Sequence, residues 1–360
     1  MNIAFVAHHY DERDGTGGYV FELLTRVADR HEVTLYAVEA RSPLPEGVRF
    51  VRVPALRGSA YATILSFPAA FAAVRGRHDL VHAQGWVTGR ADVVTAHIVL
   101  AAWREAARRA AVPTPPGERL LGGFVQRREA RLFRSGARAV IAPSEKARHE
   151  LAALYGRRES VHVIRHAFPA PSAPADRAAA RRRLGLDSTA FIALYAGDPR
   201  KGLPPAIQAL RDAPGATLLV ASRSGLDPFR AAADALGVAS RVRWAPAQTP
   251  IADAFAAADV LVHPTIYDTF ALVVAEAMAA GLPVVVSREA GIAELIEHGR
   301  SGWLLRVPEG AEVAAALNAL HADVATRAAL GAAAQAVAAA RSWDVVAEET
   351  LRVFEQVVAR

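Results

Sequence analysis

Short runs of β-branched and other apolar residues alternate along the chain with longer alanine-rich stretches of helical character, the pattern of a parallel α/β fold. In the first half these runs predict strands at Asn2–Ala7, Glu32–Ala37, Val48–Val53, Asp79–Ala83, Asp92–His97 and Arg138–Pro143. In the second half they predict strands at Val161–Ile164, Phe191–Ala196, Thr217–Ala221, Arg241–Ala245, Asp259–His263, Pro283–Ser287 and Trp303–Leu305. The one clear proline-rich connector is Phe168-Pro169-Ala170-Pro171-Ser172-Ala173-Pro174, which places a domain boundary there. Residues 1–168 and 169–342 are therefore expected as two domains, followed by an amphipathic helix over 343–360 with Ser342 as its N-cap. Two such halves on a short linker would form a crevice, with ligands bound beyond the carboxyl ends of the strands.

Length and composition agree with that division. A chain of 360 residues, 52% hydrophobic and 22% charged, is long enough for two cores. No apolar run reaches the length of a spanning helix, and the N-terminus MNIAFVAHH reads as a buried strand rather than a cleavable leader. The absence of cysteine excludes disulfides and thiolate chemistry, and points to a cytoplasmic setting. The net charge of +6 comes mostly from arginine, the only lysines being Lys146 and Lys201. Without zinc spacing, a basic tail or an aromatic–basic platform, this charge suits phosphorylated substrates or an anionic membrane better than nucleic acid.

The most informative stretch is AADVLVHPTIYDTFALVVAEAMAAGLPVVVS, residues 257–287. It predicts a strand (Val260–His263), a loop carrying Asp268, and a helix of about Phe270–Ala280 carrying Glu276. Unpaired amides around Phe270, Ala271 and Leu272 would form an anion site at the helix start. Glu276 would lie roughly 8–9 Å further on, taking ~1.5 Å of rise per residue. One carboxylate on each side of a phosphate suits a diphosphate that links two hydroxyl-rich rings. The bland alternative makes Asp268 a turn residue and Glu276 a solvated helix position, but Glu276 is flanked by Val273, Val274, Ala277 and Met278.

A second constellation, Gly197-Asp198-Pro199-Arg200-Lys201-Gly202, follows the strand Phe191–Ala196. Adjacent cations at a strand's carboxyl end would neutralise a diphosphate, arginine as a fork and lysine as a point charge. A third, Gly15-Thr16-Gly17-Gly18, lies between the first strand and a helix expected at Tyr19–Asp29. Glycine there allows close backbone approach to a ligand. The glycines begin too far past the strand for a dinucleotide fingerprint, and Val20 takes the sixth position, which argues against a nicotinamide enzyme. His97 ends a strand where it could hydrogen-bond a sugar hydroxyl or serve as a buried structural histidine. His8, His9, His82 and His263 hold similar places, with His263 read as structural.

The pattern HPTIYDTFALVVAEAMAAGLPVV resembles the acid-seven-residues-acid signature of family-4 retaining glycosyltransferases. RKG after a strand, GTGG near the N-terminus, APSEKARHEL before the connector and SWDVVAEETLRVF at the end match the family in order. The likeness extends over essentially the whole chain and is closest in layout to the lipopolysaccharide core glucosyltransferases. It implies a GT-B fold of two Rossmann-like α/β domains, an acceptor domain followed by a nucleotide-sugar donor domain, with the C-terminal helix returning to the first. It also implies retention at the anomeric carbon, no cofactor and no metal; no DxD motif occurs in the chain. By the same resemblance Glu276 would hold the ribose hydroxyls and Asp268 the donor sugar. Arg200 and Lys201 would bind the diphosphate, Gly17 and Gly18 would approach its phosphates, and His97 would sit beside the reacting centre. Two departures bear on donor choice: Asp268 replaces the commoner glutamate, and Ala271 stands where glycine often sits.

Residues 103–138 interleave nine arginines with Trp103, Leu120, Leu121, Phe124, Val125, Leu132 and Phe133, a candidate peripheral membrane surface. The expected partners are thus a nucleotide-sugar donor, a carbohydrate or glycolipid acceptor, and the inner face of a membrane. The alternatives are a nucleotide-sugar epimerase on the same fold and a non-catalytic sugar-nucleotide-binding partner.

Overall fold

The computed structural model describes residues 1–168 and 176–360, so the connector residues from Pro169 to Pro174 lie outside the described residues. The chain forms two compact units, Met1–His166 with Trp343–Arg360, and Ala167–Ser342. Every strand the hydrophobic runs predict is present, within two residues at either end.

The first unit contains β1 (Asn2–Val6), α1 (Gly15–Val27), β2 (Glu32–Ala37), β3 (Val48–Arg52), α2 (Ala60–Val74), β4 (Leu80–Gln84) and β5 (Ala91–Thr95). It continues with α3 (Leu100–Arg109), α4 (Pro116–Arg131), β6 (Ala137–Ala142), α5 (Glu145–Tyr155) and β7 (Val161–Val163). All seven strands pair in parallel, in the order β3-β2-β1-β4-β5-β6-β7. The run at Val161, grouped with the second-half runs but inside the expected 1–168 domain, is the edge strand of this first sheet, with Val140 opposite Val161 and Ile141 opposite His162. Its residues precede the connector, and β6 offers a free edge; pairing there satisfies both sets of backbone groups.

The second unit contains α6 (Arg177–Arg183), β8 (Phe191–Ala196), α7 (Pro199–Ala209), β9 (Ala216–Ala221), α8 (Asp227–Ala235), β10 (Val242–Trp244) and α9 (Ile251–Ala257). Then come β11 (Val260–His263), α10 (Leu272–Ala279), β12 (Val284–Ser287), β13 (Trp303–Leu305), α11 (Gly310–Ala322) and α12 (Val324–Ala339). Its six parallel strands run β10-β9-β8-β11-β12-β13. The central strands β8, β11 and β12 are buried along their whole length, as a sheet covered by helices on both faces requires. Phe168 lies in this unit's core with Leu186, Ile192 and Leu261.

The last helix, α13 (Trp343–Val358), belongs to the first unit. Phe354 packs edge-on against Phe5 and His82, and Arg26 of α1 and Arg30 in the turn after it pair with Asp344 and Glu348. The amphipathic pattern of this segment is thereby explained: its apolar face completes the core of a sheet begun at the other end of the chain.

Candidate functional site

In each sheet the strand order reverses beside the first strand of the unit, at β1/β4 and at β8/β11. Loops leaving the carboxyl ends of such neighbouring strands diverge and leave room for a ligand. In the second unit the two loops are those that carry the Arg-Lys-Gly and Asp268 motifs. β8 runs into α7, where Asp198 accepts the Arg200 amide at 3.0 Å and Pro199 occupies the first turn. This is a helix start with its cap supplied by sequence.

Gly202 explains how the two motifs meet. A Cβ on Gly202 would lie 2.6 Å from the Pro264 carbonyl oxygen, so only glycine lets α7 approach the loop after β11 this closely. The approach is sealed by the Ile266 amide donating to the Lys201 carbonyl at 2.7 Å. Lys201 Nζ then donates to Asp268 Oδ2 at 2.8 Å, the ammonium side chain 28% exposed and the carboxylate 16%. Burial pushes the Asp268 carboxyl up, but the adjacent Lys201 charge outweighs it and holds the group well below the usual carboxylate range. His263 is buried, and its Nε2 stands 3.8 Å from the same Oδ2. Arg200 takes another direction: its guanidinium forks onto Asp198 with Nη2–Oδ2 2.7 Å.

The Asp268 backbone is clamped on both sides, its amide donating to Glu289 and its carbonyl accepting from Gly291. The next turn differs from the expected row of unpaired amides. The Phe270 amide faces Asp268 Oδ1 at 3.4 Å, and the helix begins at Leu272 rather than Phe270. Ala271 precedes it with φ +83° and ψ +74°, a left-handed conformation that glycine adopts freely and alanine does not. Glu276, the fifth residue of α10, therefore lies about 6 Å of helical rise from the first. It is partly buried, and desolvation raises its carboxyl to about 7. It is not a solvated surface position.

In the first unit the glycine motif is not a loop. Gly17 and Gly18 fall in the first turn of α1, and the Gly18 amide already donates to the Asp14 carbonyl at 2.6 Å. A Cβ on Gly17 would lie 1.9 Å from the Asp11 carbonyl oxygen, so the chain's own backbone makes the close approach. His97 lies just past β5 and anchors a polar chain through the core. Its Nε2 donates to Gln84 Oε1 (2.8 Å), Gln84 Nε2 faces His82 Nδ1 (3.3 Å), and His82 Nε2 faces Thr95 Oγ1 (2.8 Å), which also meets the Tyr19 hydroxyl (3.3 Å). The His97 ring packs edge-on against Tyr19. Burial lowers His97 to about 4 and, with His97 as neighbour, His82 to about 3, so both are neutral near pH 7.

The structure thus gathers Lys201, Asp268, Phe270, Ala271 and Leu272 with Glu276 on one edge of the second unit, and holds Gly17, Gly18 and His97 in the first. In the sequence His263 reads as structural, and nothing there singles out Gln84 or Tyr19. A histidine ending a buried strand one loop before Asp268 was the available signal for His263. Of the apolar residues between 103 and 138, Trp103, Val125, Leu132 and Phe133 are buried, whereas Leu120 is 82% and Phe124 45% exposed. The candidate membrane surface narrows to the outer face of α4, where Arg128 lies over the Phe124 ring.

Comparison with known proteins supplies a frame for this geometry. A family model described as Glycosyltransferase Family 4 matches residues 13–169, and one described as Glycosyl transferases group 1 matches residues 193–323. The D-inositol 3-phosphate glycosyltransferase of Nocardia farcinica is 33% identical over 78% of this chain and 66% of its own length. That of Xylanimonas cellulosilytica is 30% identical over 96% of this chain and 92% of its own. The chain thus spans just under two thirds of the first relative's length and nearly all of the second's. Among solved structures, WaaG, a glycosyltransferase involved in lipopolysaccharide biosynthesis, superposes with a TM-score of 0.81 at 20% identity, covering 98% of this chain and 99% of that one. Anabaena HepE, in complex with UDP and glucose, gives 0.77 at 21% identity over 99% of each chain. Both share the GT-B fold of two parallel α/β units.

Proposed function

The chain belongs to the family 4 glycosyltransferases, and from that membership we propose that it is a retaining, metal-independent enzyme that moves a hexose from a UDP-sugar to a carbohydrate or glycolipid acceptor in cell-envelope synthesis. The observation that carries the proposal is the Lys201–Asp268 pair at the β8/β11 switch point. A cation and a carboxylate converge there at the start of α10, with Glu276 one turn further. In this reading Lys201 and Arg200 take the diphosphate, Asp268 the hydroxyls of the donor sugar, and Glu276 the ribose. The Leu272 turn offers amides to the phosphate between the two acids.

The chemistry follows from charge. As the glycosidic C–O bond breaks, negative charge grows on the diphosphate oxygen, and preorganised cations stabilise it more than they stabilise the bound donor. The acceptor hydroxyl attacks the same face, and its proton passes to the departing diphosphate. His97, held neutral by burial and fixed by Gln84, is the first-unit group the family resemblance offers for orienting a sugar hydroxyl. UDP in the HepE structure supports uracil as the first base to test. The acceptor named for the sequence relatives makes a phosphorylated polyol the first soluble acceptor to set beside a lipid-linked one.

Thermal shift and slow donor hydrolysis with UDP-, GDP- and ADP-sugars identify the donor. With it, Glu276→Ala is expected to weaken donor binding and Lys201→Ala to slow turnover; wild-type rates in both variants would remove the site assignment. For the membrane, Leu120 and Phe124 with the arginines of α4 are expected to carry the chain onto anionic liposomes at physiological salt. Recovery of all the protein in the supernatant would end that part of the reading.

A further inference from the structure

His263 is a buried imidazole whose Nδ1 and Nε2 both lack a hydrogen-bond partner among the described residues. Buried polar atoms are satisfied as a rule, and an exception within reach of a charged site calls for a physical account. The ring is enclosed at the end of a central strand. It ends β11, where His263 is in register with Val286 of β12, and Pro264 follows directly. Its Nε2 stands 3.8 Å from Asp268 Oδ2, too far for a hydrogen bond, and that same oxygen receives Lys201 Nζ at 2.8 Å. Two cationic or donor groups therefore face one carboxylate oxygen, and only one of them holds it.

The three groups differ in freedom. The Asp268 backbone is clamped by Glu289 and Gly291, and His263 by the sheet, whereas Lys201 has four methylenes and the most exposed head group of the three. An anion arriving at the helix starts competes with Asp268 for the ammonium. Moving Lys201 to it would leave a buried carboxylate uncompensated, a state that costs more than the lost contact alone. A side-chain swing of about 1 Å brings Asp268 Oδ2 into hydrogen-bonding distance of His263 Nε2.

We propose that His263 is a positioning residue that takes over Asp268 when a nucleoside diphosphate draws Lys201 away, so that the carboxylate stays ionised and aimed at the donor sugar. The Lys201–Asp268 pair is then the resting arrangement of an empty site, and the two groups separate to their tasks as the donor enters. The inference rests on the donor-site reading above, with its partner exchange tested apart from it.

The test is long-range 1H–15N correlation of histidine ring nitrogens in the full chain, with His263 assigned by the signal lost in His263→Gln. Three states are compared: the free protein, the protein saturated with UDP and no sugar, and Lys201→Met without nucleotide. The His263 Nε2 signal is expected to move to its hydrogen-bonded position in the second and third states. UDP that binds without moving it, or a Lys201→Met spectrum identical to that of the free protein, overturns the proposal. If the Lys201→Met signal moves and no nucleoside diphosphate binds, the exchange stands and the donor reading fails. A binding cycle adds a functional readout. His263→Leu is expected to weaken UDP about tenfold in the wild-type background and less than about twofold beside Asp268→Asn, since the bond removed is one to a charged group. Equal losses in both backgrounds would make His263 merely structural.

Discussion

Gly17 in the first unit and Gly202 in the second occupy matching places, each in the opening turns of the helix that follows its sheet's first strand, and each touching another backbone segment. At Gly202 the contact brings two motifs together: α7 settles on the loop after β11, and Lys201 meets Asp268. At Gly17 the contact is with Asp11, only six positions earlier in the chain, and it folds the loop before α1 back onto the helix start. The same device assembles a charged pair from distant segments in one unit and shapes a local loop in the other. Glycine in such a position reports a close approach; it does not say whether the approaching group is a ligand or the chain itself.

The comparison can be broken most directly at the second unit's charged pair. Lys201→Ala is expected to lower kcat by about 10²–10³-fold, the range for removing one preorganised stabiliser of transition-state charge. Its melting temperature should fall as well, because removing Lys201 leaves a largely buried carboxylate without its counter-charge. Initial-rate kinetics with the cognate donor, alongside a thermal melt, would check both; an unchanged kcat would reduce the pair to an ordinary surface bridge.

The glycines come next. Gly17→Ala places a methyl group where the Asp11 carbonyl stands and should cost about 3 kcal/mol or more, whereas Gly202→Ala, with a looser contact, should cost roughly 1–3 kcal/mol. Urea denaturation orders them, and the distinguishing result is kinetic: Gly202→Ala should also depress turnover by displacing Lys201. A Gly202→Ala enzyme with full activity would dissolve the link between close approach and site assembly.

Opposite pH dependences sharpen the contrast. Glu276 has its folded pKa raised to about 7 from 4.5, so its favourable neutral state is fully present below pH 4.5 and is lost as pH climbs to about 7. Glu276→Gln should therefore gain up to about 3 kcal/mol over wild type at pH 8 and nothing at pH 4.5, measured by urea denaturation at the two values. His8 and His97, lowered to about 4, and His82, lowered to about 3, act the other way: their neutral state is favoured above pH 6.5 and its stability is lost as pH falls through 4. The first unit should thus weaken as pH falls from 6.5 towards 4, before Asp268 of the second unit, with its lowered carboxyl, begins to lose its own contribution below 3.8; tryptophan or proton signals of each core follow the two. Acid melting that begins in the second unit would reverse the assignment.

The smallest effect concerns Ala271. Ala271→Gly relieves a left-handed alanine while removing a buried methyl group, and should leave stability within about 0.5 kcal/mol of wild type. The same replacement at Ala275, inside α10, should cost about 1 kcal/mol. Equal costs at the two positions would mean that the turn before α10 is unstrained.

Much of this architecture is legible from the chain alone, and for a local reason. Parallel strands buried on both faces are continuous apolar runs, and the alanine-rich stretches between them read as helix, so among the described residues thirteen strands appear where the runs stand. The acids, the cations and the glycines are visible because their spacing is a spacing along one loop and one helix. Boundaries at Gly15 and Leu272 are less legible: the α1 glycines read as a ligand-approaching loop before a helix at Tyr19, whereas they form the helix's first turn against Asp11.

What the sequence by itself determined is the set of elements, their parallel class and the candidate residues, since each follows from periodicity or motif within a few turns of chain. Tertiary structure alone decided partnership. That Lys201 holds Asp268 while its neighbour Arg200 turns to Asp198, that His263 faces the same carboxylate unpartnered, and that Val161–Val163 joins the first sheet all depend on which strands lie side by side. Strand order is set by packing of the whole sheet and its helices, a property summed over distant contacts that no window of sequence contains.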